Sequence, residues 1–187
     1  ESGVDNTCGS RFSKKFGDLP KGYDHKYVYS HFGFNLKVSD MQAAVGVAQL
    51  EKFPKFVEKR KENHKRLLDG LVGLEKYISI QKATPNSDPS WFGFLMTVND
   101  DMKFTRNDMS IFLENNKIQT RNLFAGNILR HPLFDEMEEN IDYRAIGNLP
   151  NTDKIMNDSF WIGLYPGMGD DAIDYMIKKI KEFLKRY

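Results

Sequence analysis

The sequence predicts an α+β (α/β) fold, in which helices cover a small β-sheet. Four short runs are predicted to be strands: 77–80, 91–98, 117–121 and 160–165. The C-terminal segment 169–187 has the clearest helical period, since its apolar residues recur on one stripe. That stripe consists of Ile173, Met176, Ile177, Ile180 and Phe183. The predicted order is helix, helix, strand, strand, helix, strand, helix, strand, helix.

The N-terminal part contains an irregular segment followed by two predicted helices. Residues 1–30 have little apolar periodicity, and their aromatic content predicts an ordered loop. Ser39 is of the residue type that caps helices, so the first helix is expected to begin there. Pro54 suits the first turn of a second helix that runs to about Leu71. The charged middle of that helix, which includes His64, is expected to face solvent.

The rest of the chain alternates predicted strands and helices. A turn-rich loop separates the first two strands, and Thr105 is the predicted cap of the helix at 105–116. Gly, Asn and Pro mark 125–134 as a loop that precedes a short helix at 152–159. Three aromatic residues are predicted to lie in the core of the sheet: Trp91, Phe92 and Trp161.

The charge balance limits the class of partner. Of 187 residues, 27 are basic and 26 acidic, which gives a net charge of +1. A nucleic acid or a membrane surface would favour a clear basic excess, so neither partner is expected. No apolar run approaches the roughly 20 residues of a membrane span, and residues 1–20 lack the apolar core of a signal peptide. Cys8 is the single cysteine, which fits a cytoplasmic protein, and the start at Glu1 suggests a fragment of a longer one.

No self-contained catalytic or metal-binding motif is present. The sequence lacks the P-loop, dinucleotide-binding, H-E-x-x-H and C-x-x-C patterns. His25 and His31 in the aromatic loop, and His131 in the Gly/Asn/Pro loop, are open to a binding role or an ordinary structural role. The segment GFN at 33–35 precedes the capped helix, where free backbone N–H groups attract phosphate. Those residues predict either an anion site or a capping turn.

Five segments, taken in chain order, resemble a known enzyme family. They are DNTCGSRF, GYDHKYVYSHFGFNLKVSDMQAA, DPSWFGF, TRNLFAGNILRHP and FWIGLYPGMG. Together they resemble the DegT/StrS-type sugar-nucleotide aminotransferases, and within them the 3-dehydrases that act on CDP-4-keto-6-deoxyglucose in lipopolysaccharide biosynthesis. The resemblance implies the aspartate-aminotransferase fold, the type I fold of pyridoxal-phosphate enzymes. Residues 1–53 would be the tail of the large domain with its cofactor and cluster loop, and 54–187 the C-terminal small α/β domain.

The resemblance also implies two cofactors. Pyridoxamine 5′-phosphate, the amine form of pyridoxal phosphate, would condense with the 4-keto sugar, and carbon 3 would lose its hydroxyl during synthesis of a 3,6-dideoxysugar of the O-antigen. An iron–sulfur flavin reductase would then deliver single electrons through a 2Fe-2S cluster. Such a cluster needs four thiolates; Cys8 matches the last of them, and the other three would lie upstream of Glu1. The alternative for Cys8 is a free structural thiol.

The resemblance assigns binding residues but no catalytic residue, because the Schiff-base position would lie upstream of this chain. Asn35 matches an asparagine that reaches the cofactor phosphate of the neighbouring subunit in a homodimer. His31 and Lys37 flank it and are candidates for contact with the cofactor phosphate or the substrate diphosphate. Candidates for contact with the sugar nucleotide lie in or beside TRNLFAGN: Arg121, Asn127, Arg130 and His131. A structural loop role stays open for each of them.

Three other functions remain open at the level of the sequence. An ordinary sugar aminotransferase that uses pyridoxal phosphate would carry a Schiff-base lysine upstream. A cluster-free 3-dehydratase acting on a GDP sugar would have no need of the segment DNTCGSRF. The third is a non-catalytic interaction module, because this chain alone lacks half of the active site and is expected to be inactive.

Overall fold

The structure is a computed structural model that describes residues 12–24, 27–29, 31–34 and 36–187. The chain divides into two compact units, residues 1–46 and 47–187. In the first unit, the described residues before Asp40 form turns and irregular backbone. The domain boundary that the resemblance implies, between residues 53 and 54, stays a prediction.

The described helices and strands follow the predicted order with one difference. The helices are α1 (Asp40–Gly70), α2 (Arg106–Asn115), α3 (Pro150–Asp158) and α4 (Asp170–Leu184). The strands are β1 (Ile78–Ile80), β2 (Gly93–Val98), β3 (Thr120–Asn122) and β4 (Ser159–Gly163). They form one sheet in the order β1-β2-β4-β3, and every neighbouring pair is antiparallel. The predicted α+β fold is therefore confirmed.

The difference is at Pro54, where the predicted break between two helices was wrong. α1 runs without interruption from Asp40 to Gly70 and contains Pro54. A proline inside a helix loses one backbone hydrogen bond, to the carbonyl four residues earlier. That carbonyl belongs to Leu50, an exposed residue, so water can replace the missing donor. A proline favours a helix start, but where the carbonyl that loses its donor is exposed, a long helix can also contain one.

The main core lies on one face of the sheet. Between β2 and β4, Phe94 pairs with Ile162 and Met96 pairs with Phe160, and all four side chains are buried. Side chains of α1, α2 and α4 join the same cluster, and of the predicted α4 stripe four residues belong to it while Ile177 is partly buried and packs against it. Burial of one large apolar side chain contributes about 1.5–3 kcal/mol, so this layer dominates the stability of the second unit. None of the described helices is long and apolar enough to cross a membrane.

Two predicted helix caps are confirmed. The Ser39 N–H donates to Gln42 Oε1 at 2.9 Å, and the Gln42 N–H donates to Ser39 Oγ at 3.4 Å. At α2, the Thr105 N–H donates to Asp108 Oδ2 at 2.8 Å, and the Asp108 N–H donates to Thr105 Oγ1 at 3.2 Å. The Thr105 N–H and the Thr105 hydroxyl both donate to Asp108 Oδ2, and these two hydrogen bonds lower the pKa of the Asp108 carboxyl below its ordinary value. Each reciprocal pair satisfies N–H groups that a helix start leaves without partners.

His64 is buried, so the prediction that it faces solvent was wrong. Its side chain is 4% exposed, and its ring stacks on that of Trp91 with centroids 4.0 Å apart. The charged residues around it suggested a solvated surface. Helical spacing nevertheless places His64 on the same face of α1 as Leu67, which belongs to the core.

The three aromatic residues predicted in the sheet core lie in three different places. Trp91 is partly buried and packs against the core cluster. Trp161 falls between two core residues of β4, so alternation along the strand places it on the opposite face of the sheet, called here the outer face. Phe92 is 67% exposed, and its ring centroid lies 5.0 Å from that of Trp161. The prediction was therefore wrong for Phe92 and Trp161.

Acidification is expected to destabilise the chain through His64. Burial lowers the pKa of His64 below its ordinary value of 6.5. Its Nε2 is buried and has no hydrogen-bond partner in the part of the chain that the structure describes. The folded state therefore binds the proton less readily than the unfolded state. As a result, the free energy of unfolding falls as the pH drops from the unfolded-state pKa towards the lower folded-state pKa.

Urea denaturation of the parent chain and of His64→Gln, between about pH 5 and 8, measures this effect. Glutamine does not titrate, so the loss of stability on acidification should be smaller in the variant. Equal pH dependence in the two proteins would exclude His64 as the cause.

Candidate functional site

Two of the described candidates, His31 and Lys37, lie in the first unit shortly before α1. Both side chains are exposed. An exposed cation close to a helix start favours phosphate binding, because its positive charge adds to the partial positive charge at the N-terminal end of the helix. Asn35, His25 and Cys8 lie outside the described residues, and their assignments stay predictions.

The other candidates lie in the second unit, in β3 and in the loop that follows it, called here the β3 loop (residues 123–131). Asn127 is 2% exposed, and its side-chain amide donates to Asp153 Oδ1 at 2.6 Å. Its own Oδ1 accepts the Leu129 N–H at 3.2 Å, which caps a short 3₁₀ turn. Arg130 donates to the same carboxylate through Nε at 3.2 Å and through Nη2 at 2.8 Å. Asp153 in α3 thus holds two of the candidate side chains.

The electrostatics of this cluster favour an ionised Asp153. Hydrogen bonds from Arg130, and to a smaller extent from Asn127, lower the pKa of the Asp153 carboxyl. The same hydrogen bond between Arg130 and Asp153 raises the pKa of the Arg130 guanidinium. Asp153 also lies in the first turn of α3, where the helix dipole stabilises negative charge. A bidentate pair of this kind fixes geometry as well as charge. The cluster therefore fastens the β3 loop to α3 and engages the Arg130 guanidinium.

Two further contacts hold the β3 loop in shape. His131 Nε2 lies 2.7 Å from the Ala125 carbonyl oxygen, and because a carbonyl can only accept, Nε2 carries the proton. Gly126 has φ +61°, and a Cβ there would lie 2.5 Å from Cγ of Met156 in α3. Only glycine allows the loop to lie so close to the helix at that backbone conformation. Asn127, Arg130 and His131 are thus brought together by contacts that shape the loop.

Arg121 differs from the other candidates. It lies in β3 opposite Trp161, so both side chains belong to the outer face. Its side chain is exposed, and within the described ranges its guanidinium forms no ion pair or hydrogen bond. It lines an open depression of about 550 Å³, whose other lining residues are Thr120, Asn122, Phe124 and Trp161. Among these four candidates, Arg121 is the cation available to a ligand.

A second cavity, of about 290 Å³, lies beside Arg130. It is lined by Asn127, Leu129, Arg130, Glu139, Tyr143, Ala145, Gly147, Asn148 and Leu149. Glu139 contributes negative charge to this cavity, and the positive charge of Arg130 is paired with Asp153. Among the four candidates of β3 and its loop, the guanidinium without a described partner therefore lies beside the depression at Arg121.

Sequence reasoning missed Asp153 and Phe124. An acidic residue in a first helical turn is a known start signal, but nothing in the sequence connects Asp153 with Asn127, 26 residues away. Phe124 belongs to one of the segments that carry the family resemblance, yet a lone phenylalanine in a loop is ordinarily interpreted as core. In the structure it is 78% exposed and has φ +47°, an uncommon conformation for a bulky residue. Its position on the surface is decided by the loop backbone.

The whole chain is similar to two curated relatives. It is 51% identical over 181 residues to the "lipopolysaccharide biosynthesis protein RfbH" of Salmonella typhimurium, covering 97% of this chain and 40% of that protein. It is 48% identical over 186 residues to a dTDP-4-dehydro-2,6-dideoxy-D-glucose 3-dehydratase of Saccharopolyspora spinosa, covering 100% of this chain and 39% of that protein. The chain thus spans about two fifths of the length of these relatives.

A solved structure shows the same fold. The Escherichia coli GDP-4-keto-6-deoxy-D-mannose-3-dehydratase with bound hydrated PLP superposes with a TM-score of 0.69 at 25% identity, covering 83% of this chain and 38% of that chain. The match confirms the predicted fold of a PLP-dependent aminotransferase. Residues 11–181 also match the family described as the DegT/DnrJ/EryC1/StrS aminotransferase family. The predicted resemblance is confirmed, and this chain belongs to the DegT/DnrJ/EryC1/StrS aminotransferase family.

Proposed function

We propose that this chain is the C-terminal part of a sugar-nucleotide 3-dehydratase that uses pyridoxamine 5′-phosphate. The observation that carries the proposal is its similarity, at 51% and 48% identity along almost the whole chain, to a lipopolysaccharide biosynthesis protein and a sugar-nucleotide 3-dehydratase. The five segments that resemble the CDP-sugar branch support a CDP-4-keto-6-deoxyhexose as the substrate and a 3,6-dideoxysugar as the product.

The described residues before α1 fit the phosphate end of the cofactor. Lys37 is an exposed cation that lies three residues before Asp40, the first residue of α1. We assign Lys37, with His31 and Asn35, to binding the cofactor phosphate, which requires positive charge and N–H donors. When bound, the cofactor supplies the amine that reacts with the keto sugar and the ring that accepts electron density.

We assign Arg121 to the diphosphate of the sugar nucleotide. A guanidinium presents a planar fork of donors that matches phosphate oxygens. Among the four candidates in β3 and the β3 loop, Arg121 is the one whose side chain has no protein partner in the described ranges. Asn127, Arg130 and His131 support it indirectly, because their contacts with Asp153 and the Ala125 carbonyl set the course of the β3 loop.

This chain would supply one of the four ligands that a 2Fe-2S cluster requires. Cys8 is the single cysteine in the sequence, and the described residues contain no group of side chains that could hold a metal ion. The chain therefore cannot hold such a cluster alone, and three further thiolates would have to come from outside this sequence. With the cluster, we propose an iron–sulfur flavin reductase as electron donor and a homodimer as the assembly.

The test is turnover by the full-length protein. It is incubated with pyridoxamine 5′-phosphate, an iron–sulfur flavin reductase and CDP-4-keto-6-deoxyglucose, and the product is identified by mass spectrometry. We expect loss of the carbon-3 hydroxyl, slower reaction with the dTDP and GDP analogues, and no reaction with the 187-residue chain alone. Formation of an amino sugar from an amino donor would instead identify an aminotransferase and contradict the proposal.

A further inference from the structure

One face of α1 is covered by the core at its C-terminal end and is open at its N-terminal end. The residues of this face recur at alternating spacings of three and four: Leu50, Phe53, Val57, Arg60, His64 and Leu67. That spacing places side chains on one side of a helix. His64 and Leu67 are buried, whereas Leu50 is 69% and Phe53 is 56% exposed. The face that contacts the core therefore continues beyond the part that the core covers.

The open end of this face forms one wall of a groove. A cavity of about 370 Å³ is lined by α1 and by the turn at residues 165–168. A second cavity, of about 360 Å³, adjoins the first, because Tyr165 lines both. Contiguous exposed apolar surface of this kind is typical of a binding surface. We call the following residues the α1 groove: Phe53, Phe56, Val57, Arg60, Tyr165 and Pro166.

The turn opposite α1 is fixed by hydrogen bonds from the helix. Asn63 is buried, and its side-chain amide donates to the carbonyl of Tyr165 at 3.3 Å and to that of Met168 at 3.4 Å. The Met168 N–H donates to the Tyr165 carbonyl at 3.2 Å, which closes the turn. A Cβ on Gly167 would lie 2.7 Å from Cε2 of Tyr165, so glycine leaves room for the ring. The groove therefore has a fixed shape before a ligand occupies it.

Arg60 is the only charged residue among the described residues that line the groove. Its side chain is partly buried, and its guanidinium forms no ion pair or hydrogen bond in the described part of the chain. The neighbouring Lys61, by contrast, pairs with Asp88. Covering a guanidinium without a counter-charge is strongly unfavourable. A ligand that fills the groove must therefore bring an anionic group to Arg60.

We propose that the α1 groove binds a segment of the full-length protein upstream of Glu1, and that this segment pairs a carboxylate with Arg60; the assignment rests on the proposed function. The two curated relatives match this chain over about two fifths of their length, so most of each relative lies outside the match. The segment that fits has apolar side chains for the rings of Phe53, Phe56 and Tyr165, and an Asp or Glu beside them for the guanidinium.

The same groove of a second copy is a poorer partner. Two grooves that face each other would bring two Arg60 guanidinium groups together, and the described lining offers no carboxylate to neutralise them. Like charges that meet in an apolar contact oppose association. A purely apolar segment would also leave Arg60 without a counter-charge. An apolar segment with one acidic residue meets both requirements.

The test uses Arg60→Lys in the full-length protein. This change keeps the positive charge and supplies a primary amine, which a carbodiimide joins to a carboxylate in direct contact with it. Mass spectrometry of the peptides then identifies the partner. We expect a cross-link from position 60 to an Asp or Glu upstream of Glu1, and none from position 60 in the parent, because a guanidinium does not react. Lys61, whose Nζ lies 2.5 Å from Asp88, should cross-link in both proteins and is the internal control.

Footprinting of the full-length parent protein tests the burial of the groove. Hydroxyl radicals label the native and the urea-unfolded protein, and the ratio of the two rates gives the protection of each side chain. Phe53 and Tyr165 are both 56% exposed in the described chain, yet we expect them to be strongly protected in the full-length protein. Val72, which is 70% exposed and lies outside the groove, is the matched control and should be labelled at nearly the unfolded rate.

Three results would overturn the inference. The first is a cross-link between Lys61 and Asp88 with none from position 60 to an upstream carboxylate. The second is a cross-link from position 60 to another copy of the protein, which a mixture of ¹⁴N and ¹⁵N protein reveals. The third is labelling of Phe53 and Tyr165 as free as that of Val72. None of them depends on turnover, so a full-length protein that fails to dehydrate its substrate would leave a positive cross-link intact.

Discussion

Cys8→Ser in the full-length protein is expected to remove nearly all of its bound iron. A 2Fe-2S cluster is held by four thiolates, and serine does not replace a thiolate at iron with comparable affinity. Cys8 is the only thiol in this part of the protein, so no neighbouring cysteine of the chain can substitute for it. We expect about two irons per chain in the parent protein and close to none in the variant. Turnover should fall with the iron, because single electrons would no longer reach the substrate.

Iron and acid-labile sulfide are measured on protein purified anaerobically. Thr7→Ser, a change at the preceding residue that leaves the thiol in place, serves as the control and should keep the iron. Iron retained in Cys8→Ser would contradict the ligand assignment and leave Cys8 as a structural thiol. A parent protein without iron would favour a cluster-free dehydratase or an aminotransferase.

Arg121→Gln is expected to raise the KM for the sugar nucleotide about ten- to hundredfold in the full-length protein. A hydrogen bond to a charged group contributes about 1.5–3 kcal/mol, which corresponds to that range. The guanidinium forms no ion pair within the described part of the chain, so its removal should leave the Tm unchanged. Arg121→Lys should restore part of the affinity, because lysine keeps the charge and loses the planar fork.

Arg130→Gln is the matched control for this prediction, because it removes the same group nine residues further along the chain. Arg130 pairs with Asp153, and without it that carboxylate would keep, among the described side chains, the amide of Asn127 as its partner. We therefore expect a lower Tm and a smaller change in KM than in Arg121→Gln. Steady-state kinetics and thermal denaturation of both variants separate the two roles. A large rise in KM at unchanged Tm in Arg130→Gln would reverse the assignment.

Local patterns were sufficient to predict most of the secondary structure. The stripe from Ile173 to Phe183 repeats at the helical period, and it packs into the core as expected. Ser39 and Thr105 each precede a residue that can return the hydrogen bond three positions later, so both caps follow from four residues of sequence. The family, too, was predicted from short segments in order, and the match over residues 11–181 confirms it.

The site was less predictable, because its contacts join residues that are distant in the chain. Arg121 and Arg130 occur in the same short run and look alike in the sequence. The structure distinguishes them, because Arg130 donates hydrogen bonds to Asp153, whereas Arg121 lies on the outer face of the sheet. Asn127 and His131 stay open between a binding role and a structural role, and the sequence did not indicate that their polar groups contact Asp153 and the Ala125 carbonyl.

Apart from the predicted break at Pro54, the sequence by itself determined the order of the elements, the caps and the family, because each depends on residue patterns within single segments. Only the tertiary structure decided that His64 is buried against Trp91, that Phe92 and Phe124 are exposed, and which arginine is paired. These outcomes depend on which surfaces the packed sheet and helices bring together. Burial and ion pairing stabilise contacts between residues of different elements. The sequence lists these residues but does not indicate which of them come into contact.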